Sequence, residues 1–286
     1  MNRGRTPTSK PYSQPSQMSS YTSKARAHNL VQAAVSTLVC ALLCTAASAQ
    51  ELSADDIAKR MIRGDAFAWE GAKSSIRMVL IDKKGKRKQR TMEILGRRSG
   101  GLLQTIVRFT SPSEIAGTAF LMLERDGRDS EQYIYLSRLK RTRRVVGRER
   151  ESTFMGSDFT YADMQRVDAK HGKNRRLPDE KLGNDETYVV ETTLAKDAPS
   201  PYSKVVSWVR KRDMVALRTR FYDRKGKLEK TLYARKVRKL EGKPVVVDAR
   251  MQSNRTGHAT DLYIDSVERR DDLPDVAFTP AALERL

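Results

Sequence analysis

Three groups of side chains in this sequence have the types and spacing to do chemistry: Ser157-Asp158, the histidines His171 and His258, and the basic run 138–150. A nucleophilic serine needs a base within hydrogen-bond reach, usually on a sharp G-x-S-x-G elbow. Gly156-Ser157-Asp158-Phe159 lacks that elbow, and no histidine lies nearby in sequence. Capping is the competing role, since Thr160-x-x-Asp163 fits a capping box at the start of a short helix. His171 and His258 stand in polar, loop-like surroundings, outside any H-E-x-x-H pattern. No G-x-G-x-x-G or Walker-type loop occurs. The residues therefore point to a protein without catalytic chemistry, with no cofactor and no metal. In the basic run, a guanidinium facing a cavity mouth could pair with phosphate or carbonyl oxygens, and Arg143 and Arg144 are the candidates for reading a headgroup. The alternative is a solvated edge strand that uses charge to block aggregation.

The elements that must position these residues are mainly strands. Ser53 can cap a helix in which Asp56 reaches back to it, Ile57, Met61 and Ile62 recur at helical spacing, and Gly64 permits a stop. Beyond Gly71 the apolar period becomes two. Stretches 74–81 and 90–95 flank a turn around Gly85, 102–109 ends before Pro112, 118–124 and 131–136 flank Gly127, and 140–146 continues the sheet. A second run follows at 187–194, 204–210, 216–222, 230–236, 245–252 and 261–267, with 174–185 expected as a loop between the halves. Such spacing without long helices predicts an antiparallel meander. Leu217, Thr219 and Phe221 alternate with Arg218, Arg220 and Tyr222, and Leu262 and Ile264 with Asp261 and Asp265, giving one dry face and one charged face. Stretches 76–81, 120–123 and 133–136 are apolar on both faces and need a second cover. The Ser53 helix, a 157–165 helix and a C-terminal 280–286 helix could supply it. The expected fold is mainly β with flanking helices, a strongly curved antiparallel sheet under a helical lid.

The first 29 residues hold five basic side chains and no acidic one, an apolar run covers 30–47, and Ala47-Ser48-Ala49 offers small residues for signal cleavage. Residues 1–49 are thus expected to be a cleaved signal peptide that directs the chain to the periplasm, with Met18 as a second candidate start. Residues 50–286 then form a single domain. Cys40 and Cys44 both fall inside the signal and lack the small preceding residues that lipidation requires, so the domain depends on an ordinary core. Removing 1–49 takes five of the 55 Lys and Arg and none of the 35 Asp and Glu, leaving a net charge of about +15. That field suits anionic partners, while the secretory route argues against nucleic acid. Eight methionines, from Met61 to Met251, supply adaptable apolar volume.

The stretch 119–164 combines these features. The order GTAFL, QYIYL, a Lys/Arg-rich strand and then STFMGSDFTYADM resembles the outer-membrane lipoprotein-sorting family, which is similar to the periplasmic lipoprotein chaperone of the bacterial envelope. Ser137 stands where relatives commonly carry proline. The resemblance implies a half-open, unclosed β-barrel with a helical lid and a hydrophobic groove, acting as a monomeric carrier. Its cargo would be lipid or lipoprotein acyl chains on the way to the outer membrane. An inner-membrane exporter or an outer-membrane receptor would be its partner. The groove candidates are Met78, Met92, Phe120, Met122, Tyr133, Tyr135 and Phe221. The lid candidates are Phe154, Met155, Phe159, Tyr161 and Met164. The rival expectation is a basic envelope module that docks on anionic headgroups or on an exporter and holds no hydrophobic cargo.

Overall fold

A computed structural model describes residues 51–63, 70–165, 172–198 and 200–285. The expected signal segment with Cys40 and Cys44, the expected Gly64 stop, His171 and Leu286 lie outside the described residues. The compact unit begins at Leu52. It is built on thirteen antiparallel strands: β1 Gly71–Ile81, β2 Arg87–Ser99, β3 Leu102–Ser111, β4 Ala119–Arg125, β5 Arg128–Leu136, β6 Arg141–Arg144, β7 Gly172–Leu182, β8 Asp185–Leu194, β9 Tyr202–Arg210, β10 Ala216–Asp223, β11 Leu228–Leu240, β12 Lys243–Ser253 and β13 Ala259–Arg269. One α-helix is described, α1 Ala54–Arg63, and it is not long and apolar enough to cross a membrane. Its start is as the side chains predict: the Asp56 amide donates to Ser53 Oγ at 3.1 Å, and Ser53 Oγ donates to the Asp56 carboxylate at 2.6 Å.

The strand order is β6-β5-β4-β3-β2-β1-β13-β12-β11-β10-β9-β8-β7. Two meanders, β1 to β6 and β7 to β13, are therefore fused through β1 and β13. The pairing β1–β13 is the one between strands remote in sequence. At this seam a Cβ on Gly71 would lie 2.0 Å from the Arg270 carbonyl oxygen, so the close approach of the two backbones needs glycine. The outermost strands β6 and β7 do not pair with each other, and the sheet stays open.

Curvature follows from two contacts of the β6–β7 connection. Tyr161 accepts a hydrogen bond at its carbonyl from Gln132 of β5, and Asp163, two residues on, pairs with Lys230 of β11. In a flat sheet those strands, seven places apart, would be separated by about 34 Å. Both reach one short stretch of chain, so the sheet wraps around it. Cross-strand partners share a face. The pairs Phe221–Lys230, Leu232–Met251, Ala249–Leu262, Leu262–Met78, Ile76–Met92, Met92–Phe109, Val107–Phe120 and Phe120–Ile134 trace a continuous inner face through β10 to β13 and β1 to β5.

Four expectations are corrected. The 174–185 stretch is not a loop but most of β7, an edge strand; edges tolerate Pro178, and the pairing with β8 slips between Leu177 and Glu180. No helix spans 157–165. Single 3-10 turns occupy Phe154–Gly156 and Tyr161–Met164, because Met155 and Gly156 have positive φ (51° and 72°) and turn the chain back on itself. The C-terminal helix is also two 3-10 turns, Asp275–Phe278 and Pro280–Glu284. The basic strand is shortened to Arg141–Arg144, since Lys140 is left-handed (φ 48°) and ends the preceding turn.

The three covers go to different places. The C-terminal turns bury Phe278 and Leu283 against Ile106, Ala119 and Leu121 on the outer face. Ile57 of α1 packs on Val190 and Val209 at the β8–β9 end of the inner face. Residues 145–165, the strap, fill the space enclosed by the remainder.

Candidate functional site

The strap is a small hairpin laid inside the curved sheet. Thr153 bridges Thr160, the Phe154 amide donates to Phe159 O at 2.7 Å, and Ser157 Oγ donates to Phe154 O at 2.7 Å. Ser157 is thus committed to its own turn. The predicted capping box forms: the Thr160 amide donates to the Asp163 carboxylate at 2.6 Å, and the Asp163 amide donates to Thr160 Oγ1 at 3.3 Å. Phe154 is the centre of the interior. Its ring centroid lies 5.9 Å from Phe109, 5.3 Å from Phe120 and 5.5 Å from Tyr161, with edge-on contacts to the last two. Phe159 is also buried in this cluster, with Met155 and Met164 packed against it.

Polar ties fasten the strap to both walls of the sheet. Gln132 Nε2 of β5 donates to Tyr161 O at 2.9 Å. Arg90 of β2 donates to Met155 O. On the far wall, Lys230 Nζ donates to Asp158 O at 3.0 Å and to Asp163 Oδ2 at 2.5 Å; both side chains of that ion pair are only 4% exposed. Tyr202 O–H donates to Asp163 Oδ1 at 2.8 Å, and Thr260 Oγ1 of β13 donates to Asp158 Oδ2 at 2.7 Å. Burial shifts these groups as it must. It raises the Asp158 carboxyl above the ordinary carboxylate value and lowers the Arg90 guanidinium, while burial and then the Asp163 charge push the Tyr202 phenol far up.

The sequence-predicted residues are divided by this geometry. Met78, Met92, Phe120 and Met122 are buried together on the inner face, and Phe221 packs at its edge. Phe154, Met155, Phe159, Tyr161 and Met164 join the same cluster. Tyr133 and Tyr135 do not. They pair with Leu121 and Ala119, one residue out of phase with Phe120 and Met122, and so lie on the outer face beside the C-terminal turns. Arg143 and Arg144 fall on opposite faces of β6. Arg143 forms an ion pair with Glu149 and Arg144 is exposed. Sequence reasoning missed Arg90, Gln132, Asp163 as an ion-pair partner, and Lys230. The available signal was phase: Arg90 shares the inward parity of Met92 and Ile94, and Lys230 that of Leu232, so each is a polar intrusion on an apolar face.

An open cleft of about 330 Å³ lies at the mouth of the interior, lined by Leu80, Ile81, Asp82, Lys86, Lys88, Arg90, Gly156, Asp158, His258 and Ala259. Among the described residues, no cluster of three or more His, Cys, Asp and Glu is placed to hold a metal ion.

The open, curved antiparallel sheet is a fold shared with several solved structures. A domain from Vibrio parahaemolyticus, described as an outer membrane lipoprotein-sorting protein, matches with a TM-score of 0.76 at 28% identity over 82% of this chain and 98% of its own. A DUF1329 family protein from Desulfovibrio piger matches with a TM-score of 0.76 at 25% identity, over 80% and 97%. A LolA superfamily protein from Nitrosomonas europaea has the same fold at 20% identity, with a TM-score of 0.65 over 80% and 98%. No curated protein matches the sequence. A family model described as "Uncharacterized protein" matches residues 101–285, and the chain belongs to that family; its structural neighbours include lipoprotein-sorting, DUF1329 and LolA superfamily proteins.

Proposed function

We propose that the protein is a periplasmic carrier that holds lipid, or the acyl chains of lipoproteins, against the inner face of its sheet for transfer toward the outer membrane. One observation carries this reading. The strap fills the apolar interior with side chains from a separate stretch of chain, tied to the walls by a small set of polar contacts. Fully burying a large apolar side chain contributes about 1.5–3 kcal/mol, so Phe154, Phe159 and Tyr161 together contribute roughly 5–9. Ten methylenes of an acyl chain contribute about 8. Exchange of strap for cargo is then nearly balanced, which lets a carrier both load and unload. The inner residues Met78, Met92, Phe120, Met122 and Phe221 form the groove, and Phe154, Met155, Phe159, Tyr161 and Met164 form its cover. The similarity to a lipoprotein-sorting domain supports the same reading.

The test is mass spectrometry of lipids extracted from protein purified from the periplasm. A bound acylated lipid that survives high salt is expected, whereas surface docking through exposed cations would be lost as salt screens the charges. Phe159→Asp and Met164→Asp should each abolish co-purified lipid while the far-UV spectrum stays β-like. Unchanged lipid content in both would refute the groove.

A further inference from the structure

The cleft at the mouth of the interior has an imbalance that the strap does not explain. Its two acids are occupied locally. The Asp82 carboxylate accepts from the amides of Lys84 and Lys86 at 2.8 and 2.9 Å, closing its own turn, and Asp158 accepts from Thr260 at 2.7 Å. Lys86 faces Asp82, but the two cations deeper in the cleft are not matched: among the described residues, Lys88 and Arg90 have no carboxylate within ion-pair distance, although the chain forms many such pairs elsewhere. Arg90 is the most telling. It is half-buried, it sits across from Met78 on the inner face, and its hydrogen bond to Met155 O uses one of five donors. A guanidinium drawn toward an apolar interior without an anion is costly, and burial alone lowers its pKa. Lys88 lies across from Leu80 on the same face, one step nearer solvent. The cleft thus has an apolar floor at Leu80 and Ala259 that continues into the interior, and a cationic rim facing out.

We propose that this cleft binds the anionic oxygens, phosphate or carboxylate, at the polar end of an acylated ligand, with Lys88 and Arg90 supplying the charge and Gly156 of the strap forming the wall it touches, while Asp158 stays turned to Thr260. The site replaces the Arg143–Arg144 pair, which the fold splits between two faces. It rests on the carrier reading for the position of the acyl chains, and it adds selectivity for charge. An oxyanion at Arg90 would also lie against the carbonyl-bearing turn that Arg90 holds, placing headgroup recognition beside the strap's fastening.

The experiment uses delipidated full-length mature protein and three probes: lysophosphatidylglycerol, a monoacylglycerol with the same chain, and inorganic phosphate. The anionic lipid should bind about tenfold more tightly than the neutral one, the size of one charge-assisted hydrogen bond. Lys88→Ser, at an exposed position that fastens nothing, should reduce that ratio severalfold and leave the monoacylglycerol affinity unchanged. Arg90→Gln should do the same to the ratio. Equal binding of the two lipids, or a ratio unmoved in the double variant, overturns the site while leaving the carrier intact. If neither lipid binds yet phosphate shifts the amide resonances of Gly156 and Ala259, the oxyanion site stands for a free anion and the carrier reading falls.

Discussion

The two faces of the same strands are held by different physics. On the inner face of β12 and β13, Met251 and Leu262 join an apolar cluster completed by the strap. One residue out of phase, Arg250 donates to Asp261 at 2.6 Å, while Arg235 bonds to Asp248 at 2.6 Å and to the Tyr263 hydroxyl at 3.2 Å. On these two strands the outer face is finished by its own side chains, with partly exposed Arg250 and Arg235 laid over a buried Asp261. The inner face is finished by a separate piece of chain. On the carrier reading, a surface completed by a separate piece can accept a substitute, and one completed by its own ion pairs has no such vacancy to offer.

Substitutions can break or sharpen that contrast. The largest effect is expected at Phe154→Ala, which empties the space between Phe109, Phe120 and Tyr161 and should cost about 3–5 kcal/mol in urea unfolding. Next is Lys230→Met, which strands the Asp163 carboxylate inside; a loss of about 3 kcal/mol is expected. Most of that loss should be recovered in the double variant with Asp163→Asn, as a double-mutant cycle would read. The outer counterpart, Arg235→Met, leaves the buried Asp261 still paired with Arg250 and should cost less, about 1–2 kcal/mol in the same assay. Arg144→Ser, at an exposed residue, should stay within about 0.5 kcal/mol. If Arg235→Met costs as much as Lys230→Met, the two faces do not differ in the way described.

Acid should act on the two faces with opposite sign. Burial raises the Asp158 carboxyl, so the native strap holds its proton more tightly than the unfolded chain does. Its contribution is greatest below the ordinary carboxylate value and falls as pH rises through the raised one. On the outer face, burial of Asp261 is outweighed by Arg250 and Arg235, and the Arg125 hydrogen bond lowers Glu131. Those contributions are present above the ordinary value and are lost as pH drops through the depressed ones. Hydrogen exchange at the Phe159 amide should therefore slow from neutral pH to mild acid after correction for intrinsic rates, and Asp158→Asn should flatten that response.

The period-two alternation made most of the sheet legible, and it correctly divided β10 and β13 into dry and charged faces. It failed at β7, where an edge strand carries polar residues on both sides and looks like a loop. It also failed for the β5 tyrosines, because a strand apolar on both faces carries no phase information. The strap's sequence showed its capping box but not its hairpin, since Met155 adopts a left-handed conformation that a methionine does not ordinarily favour. Lys230 and Asp163 are 67 residues apart, and nothing local in either segment announces the other.

The order of the strands bears on how the chain folds. Within each meander every strand pairs with its neighbour in sequence, so both arms can assemble by short, fast loop closures. The seam between β1 and β13 is the exception, joining Ala72 to Arg269 across nearly the whole domain. Its closure carries the largest entropic barrier and is expected to limit the rate. Until the seam forms, the two arms are separate sheets with no common interior for the strap to occupy. The enclosed apolar interior is therefore expected to come into being in the last folding step, after the long apolar strands have already been paired along most of their edges.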